Sequence, residues 1–101
     1  MDEPRLTKQT IQVLHPLMLK SGQELSGSEL SKLSKLPSGT LYPILHRLEG
    51  AGWLDSRWED GDPVTMKRPR RRYYRITALG VRQLRSVVDT LMPGLEAAWA
   101  R

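Results

Sequence analysis

The chain has 101 residues, 39% of them hydrophobic, which fits one domain with a modest core and leaves little room for a second domain or a deep substrate cavity. Cysteine is absent, so disulfides and thiolate metal sites are excluded. The formal net charge is +5, and it is unevenly spread: residues 63–88 hold Lys67, Arg68, Arg70, Arg71, Arg72, Arg75, Arg82 and Arg85 with no acid, while Glu59, Asp60 and Asp62 gather just before them.

Such a local basic excess has two readings, a polyanion partner or a solvated loop. No apolar run reaches the length of a membrane span, and the start, Met1 to Pro4, lacks the basic and apolar pattern of a secretory signal. The expected compartment is a reducing cytoplasm, with no membrane partner.

Residues 5–20 read as a first helix, with Leu6, Val13, Leu14 and Leu17 on one face. Pro16 removes a backbone donor there and predicts a kink or an end. A second, short helix starts at Ser26, which with Glu29 three residues on forms a capping box. Leu25 and Leu30 can staple its entry, and Leu30 and Leu33 are expected to face inward. A turn at residues 36–39 leads to a third helix, residues 38–51, with Leu41, Ile44, Leu45 and Leu48 at i, i+3, i+4, i+7. Its opposite face carries Ser38, Tyr42 and His46, with Lys35 just before it. Pro43 is expected to fit only near the first turn, which leaves the start open between residues 38 and 42.

Residues 53–58 suit a strand, residues 59–63 are turn chemistry, and residues 72–77 suit the return strand. The long segment between the strands, with Pro63 and Pro69, is expected to be mobile unless a ligand orders it. Trp53 and Trp58 are expected to wedge this hairpin against the helices. A last helix opens at Thr77, a good N-cap. Val81, Leu84, Val88, Leu91, Leu95 and Ala98 alternate at three and four, interrupted by Pro93 and Gly94.

The fold class expected from this order is mainly α with a small β-hairpin: a winged helix-turn-helix over residues 1–77 plus a C-terminal dimerisation helix over residues 78–101. A third helix of this kind lies in the major groove of double-stranded DNA, its first residues reaching bases and phosphates. Ser38, Thr40 and Tyr42 sit there and can donate to phosphate oxygens. Two roles are open to Tyr42: contact with DNA, or packing on the wing. Lys67, Arg68, Arg70, Arg71 and Arg72, broken by Pro69, form an extended strip that can follow phosphates or enter a narrow minor groove. Arg70 and Arg72 are expected on one side of a strand and Arg71 on the other.

The terminal seam of Val81, Leu84, Val88, Leu91, Leu95 and Trp99 needs either a second copy of the chain or the first helix to cover it, and a two-fold homodimer is the favoured reading. A flat aromatic effector near Trp99 is a further reading. Catalysis has no support: His15 and His46 lie far apart, without metal spacing, a glycine-rich phosphate loop or a carboxylate pair. Neither a cofactor nor a metal is expected.

Two stretches resemble the PadR family. One is Ser38, Gly39, Thr40, Leu41, Tyr42, Pro43, Ile44, Leu45, His46, Arg47, Leu48 and Glu49, followed by Gly52. The other is Arg68, Pro69 and Arg70 with Arg72, Tyr73, Tyr74, Arg75, Ile76, Thr77 and Gly80. The likeness covers roughly residues 10–85. It implies a bacterial, nucleoid-associated regulator, a repressor that binds a two-fold operator as a homodimer through the C-terminal helix with help from the first. It also implies relief of binding by a small hydrophobic or phenolic ligand in some members. Carried over by position, Tyr42 is the DNA contact, with Ser38 and Thr40 beside it. The chain departs from the pattern at Arg71, which looks inserted, at Lys67, where a glycine is usual, at Pro16, and at Pro93 and Gly94. A single C-terminal helix matches the short-tailed branch, without a large ligand domain. The alternatives are a winged-helix protein-interaction module or anti-repressor without specific DNA binding, and an RNA-binding basic domain.

Overall fold

The computed structural model describes residues 4–91, the side chain of Leu91 excepted. The elements run α1 (Lys8–Leu19), β1 (Leu25–Ser26), α2 (Gly27–Ser34), α3 (Ser38–Gly50), β2 (Leu54–Trp58), α4 (Pro63–Met66), β3 (Arg72–Ile76) and α5 (Ala78–Leu91). The architecture is therefore mainly helical with a small antiparallel sheet, the winged helix-turn-helix arrangement, and the C-terminal helix is present.

One core holds the domain together. Val13, Leu14 and Leu17 from α1, Leu30 from α2, and Leu41, Ile44, Leu45 and Leu48 from α3 bury against Trp53, Leu54, Tyr74 and Ile76 of the sheet region. Each such side chain is worth about 1.5–3 kcal/mol when taken from water. The stripes on α1 and α3 are those the spacing predicts. Leu33 differs: it is half exposed rather than inward, while Leu30, three residues earlier, is fully buried.

Pro16 and Pro43 both sit inside helices. Pro16 is buried and α1 continues beyond it to Leu19, so the helix does not end there. Pro43 is the sixth residue of α3, past the first turn to which it was expected to be confined. The donor it lacks would have met the carbonyl of Gly39; Gly39 is exposed, so water can serve that carbonyl. The start of α3 is settled at Ser38, with Pro37 as the capping residue.

The end of α3 and the entry to β2 are one device. Gly52 has φ 81°, the Gly52 amide donates to the Glu49 carbonyl at 3.0 Å, and the Trp53 amide donates to the Leu48 carbonyl at 2.9 Å. This is a Schellman closure, which needs the left-handed conformation at residue 52. It delivers Trp53, 4% exposed, into the core.

The sheet has three strands in the order β1-β3-β2, one more than the expected hairpin. In register, Leu54 faces Ile76 and Trp58 faces Arg72, while Leu25 and Ser26 pair with Tyr74 and Tyr73. A two-residue strand carries no periodicity and is invisible to pattern reading. Thr77 caps α5 as expected: its hydroxyl accepts from the Gly80 amide at 3.0 Å and donates to the Gly52 carbonyl at 2.7 Å. A β-carbon on Gly80 would fall on the Trp53 carbonyl and within 2.9 Å of Ile76 Cγ1. That close approach docks the start of α5 on the sheet.

Candidate nucleic-acid interface

The second helix is fixed at its start by its own capping residues. Ser26 Oγ accepts from the Glu29 amide at 3.2 Å, and the Glu29 carboxylate accepts from the Ser26 amide at 3.0 Å, which is the expected capping box. The Ser26 amide holds the Glu29 carboxyl below the usual carboxylate range. Lys35 ends α2 in the left-handed conformation, φ 61°, and is exposed.

The first turn of α3 has no side-chain cap. The amides of Thr40 and Leu41 both reach the Pro37 carbonyl, so those of Ser38 and Gly39 point out of the helix end. Such an end favours phosphate oxygens. Ser38, Tyr42 and His46 are exposed along one face at intervals of four, and Thr40 is half-buried beside them. Arg47, exposed next to His46, widens this face; sequence reading passed it over, although it lies one position from the stripe that pointed to His46. The Tyr42 hydroxyl occupies the space that a β-carbon of residue 27 would need, at the start of α2. Burial raises the pKa of Tyr74 of β3, and Tyr42 is near enough to add to that rise.

The wing is built differently from what its sequence predicts. Asp62 caps α4, accepting from the Val64 amide at 3.0 Å and from the Thr65 hydroxyl at 3.2 Å. The Glu59 carboxylate takes both Arg68 guanidinium nitrogens, at 2.6 and 2.9 Å, and the Arg71 amide at 3.2 Å. The Arg68 hydrogen bonds, with the Arg71 amide and both positive charges, hold the Glu59 carboxyl down to about 2 against the effect of burial. The Arg70 Nε donates to the Gly61 carbonyl at 2.7 Å. The segment between the strands is thus a folded turn and not a loose loop, because one carboxylate collects three donors across it.

That closure sorts the basic strip. Arg68 is paired with Glu59. Arg72 lies 4.8 Å over the Trp58 ring and 3.5 Å from Glu49 of α3, so it joins wing to helix. Ser56 Oγ also donates to Glu49. Among the described residues Lys67 and Arg71 make no ion pair, and both are exposed. Residues 70 and 71 precede β3, so the expected alternation of Arg70 and Arg72 against Arg71 does not apply to them. Trp58 is 58% exposed and carries Arg72 on its ring rather than wedging the core. Lys67 has φ 58°, the left-handed conformation that glycine adopts most cheaply, at the position where the family resemblance predicts a glycine.

Of the proposed dimer residues, Leu84 is 3% exposed within this chain's own core, and Val81 and Val88 are partly buried against it. The Leu91 side chain, Leu95 and Trp99 lie outside what the structure describes, as do Pro93, Gly94 and Ala98. Among the described residues no group of three or more His, Cys, Asp or Glu could hold a metal ion, and no helix is long and apolar enough to cross a membrane.

Residues 18–86 match the model of a family described as the transcriptional regulator PadR-like family. No curated protein matches. Among solved structures, the smu.1704 protein of Streptococcus mutans UA159 is 27% identical, with a TM-score of 0.64 over 90% of this chain and 83% of that one. A PadR family transcriptional regulator from Eggerthella lenta DSM 2243 is 29% identical, with a TM-score of 0.62 over 87% and 81%. Bacillus subtilis PadR, solved in complex with operator DNA, is 22% identical, with a TM-score of 0.60 over 83% of this chain and 48% of that one.

Proposed function

The chain belongs to the PadR-like family of transcriptional regulators, and from that membership we propose that it binds a two-fold operator as a homodimer and acts as a repressor in the bacterial cytoplasm. The observation that carries the reading is the exposed stripe of Ser38, Tyr42 and His46 on α3, tied to a basic wing through Arg72 and Glu49. A fold shared with a protein captured on operator DNA supports it. In this reading the open first turn of α3, with Ser38 and Thr40, takes phosphate, and Tyr42 meets a base or its flanking phosphate. Lys35, Arg47, Lys67, Arg70 and Arg71 add charge along the backbone. The dimer forms through α5 and the residues after it. Leu84 is spent in the chain's own core, which leaves Val81, Val88, Leu91, Leu95 and Trp99 to supply the contact. An aromatic effector near Trp99 belongs to the same reading.

A gel shift against the DNA upstream of the chain's own gene, at two salt concentrations, tests this. Selective binding that weakens with salt is the expected result; equal, weak binding to any duplex removes the operator. Sedimentation of Leu91→Asp tests the dimer, with a monomer or insoluble protein expected.

A second reading has one observation in its favour. Arg68, Arg70 and Arg72 all have acceptors within the chain, which is what a protein-interaction module with a self-satisfied wing would show. It predicts no selective shift at either salt concentration.

A further inference from the structure

Gly27 opens α2 and is buried. Its backbone is held from both sides. Leu25 and Ser26 before it are paired to Tyr74 and Tyr73 of β3, and the capping box of Ser26 and Glu29 closes around it. Yet nothing in its backbone requires glycine. The glycines with left-handed φ among the described residues are Gly22, Gly52 and Gly61. Glycine is also a poor helix former, so its use in α2 calls for another cause.

The cause is Tyr42. A β-carbon on residue 27 would fall on the Tyr42 hydroxyl, 2.9 Å from its Cζ and 3.2 Å from its Cε1. Tyr42 nevertheless stays 45% exposed. Its phenol end is seated against α2 while much of the residue remains open to solvent. A half-exposed tyrosine on a helix surface would otherwise exchange rotamers, and a contact to DNA would have to stop that motion on binding.

We propose that Gly27 is the positioning residue for Tyr42: the missing side chain is a socket that holds the phenol ring at one height and angle for DNA. This rests on the DNA-binding reading above. A group that reads a base edge must be placed within a fraction of an ångström, and ordering it in the free protein removes that cost from binding. The socket belongs to the first helix of the helix-turn-helix pair, and β1 and the capping box set its place relative to the wing strand. The ring, the second helix and the wing thus share one reference point.

Gly27→Ala separates this role from plain packing. The atoms in the way are the far end of a flexible side chain, so the ring yields and the fold survives. Alanine also favours α2. The full chain, Gly27→Ala, Tyr42→Ala and the double variant are compared on a duplex that the unaltered protein selects from a random-sequence pool, against a scrambled duplex of the same composition. In Gly27→Ala, melting at or above the unaltered temperature, displaced aromatic NMR signals of Tyr42 and about a tenfold loss of preference for the selected duplex are expected. In the Tyr42→Ala background, Gly27→Ala should cost nothing further. Unmoved Tyr42 signals overturn the proposal. So do equal losses with and without Tyr42, or a Gly27→Ala chain that fails to fold. If the unaltered protein enriches no sequence, the DNA-binding reading itself falls and takes the proposal with it; selective binding with independent variants removes only the role of Gly27.

Discussion

The exposed face of α3 and the tip of the wing differ in composition and are opposite in structure. The α3 face presents Ser38, Tyr42, His46 and Arg47 on a helix whose other side is locked in the core, and its first turn is uncapped. The wing tip presents more charge, but it uses part of that charge on itself: Glu59 takes Arg68, and Trp58 with Glu49 takes Arg72, while Arg70 donates to the neutral Gly61 carbonyl and keeps its charge. A count of arginines therefore overstates what the wing offers a polyanion. A guanidinium already paired with a carboxylate releases few counterions when it nears a phosphate, whereas a solvated one releases its share. In the proposed DNA-binding reading, selectivity falls to the helix and a reduced electrostatic pull to the wing.

The largest expected effect tests the helix side. Tyr42→Ala should lose about 1–3 kcal/mol on a selected operator and much less on random DNA. Equal losses on both duplexes in a salt-controlled gel shift would make Tyr42 a phosphate contact only and erase the difference between the two regions.

Ser26→Ala comes next. It removes the cap under the helix-turn-helix pair and should cost about 1 kcal/mol of stability in urea unfolding. The salt dependence of DNA binding should stay as it was, because no wing charge changes. A flatter salt dependence in this variant would mean that the wing is held by α2 and not by Glu59.

A smaller effect sorts the wing itself. Arg71→Ala should lower the log–log salt slope by about one, while Arg68→Ala should lower it by clearly less, since Glu59 already neutralises Arg68. Equal slopes for the two would show that Arg68 leaves Glu59 on DNA.

The smallest effect is in pH. The Glu59 carboxyl titrates at about 2, below the ordinary value of 4.5, chiefly through its Arg68 hydrogen bonds. A carboxyl lowered in this way contributes its stabilisation in full above 4.5 and loses it as pH falls through about 2. NMR of the Glu59 carboxyl should therefore show no titration between pH 7 and 4, with the amide of Arg71 unchanged. A midpoint near 4.5 would return the tip to the loose loop that its sequence predicts.

Legibility followed length and regularity. The stripes of α1 and α3 and the caps at Ser26 and Thr77 were readable because each is a local pattern with a local cause. The three-strand sheet was not, since Leu25 and Ser26 become a strand only by meeting Tyr74 and Tyr73. The wing was misjudged for a related reason. Proline and a long connection predict mobility, but three donors converging on Glu59 come from positions nine and twelve residues away, which no spacing rule brings together. Arg47 lies one position off the i, i+4 stripe of Ser38, Tyr42 and His46, so spacing alone does not single it out.

The amino-acid sequence by itself determined the order of the four longer helices, the buried stripes of α1 and α3, the caps at Ser26 and Thr77 and the position of the basic strip, because hydrophobic period and capping chemistry act over three or four residues. The short α4 and its Asp62 cap were not among them. Only the tertiary structure decided which of the charges remain open and where Tyr42 stands. Those depend on side chains from distant segments competing for the same few ångströms: Glu59 against solvent for Arg68, Glu49 and Trp58 for Arg72, and the phenol of Tyr42 for the space that Gly27 leaves empty.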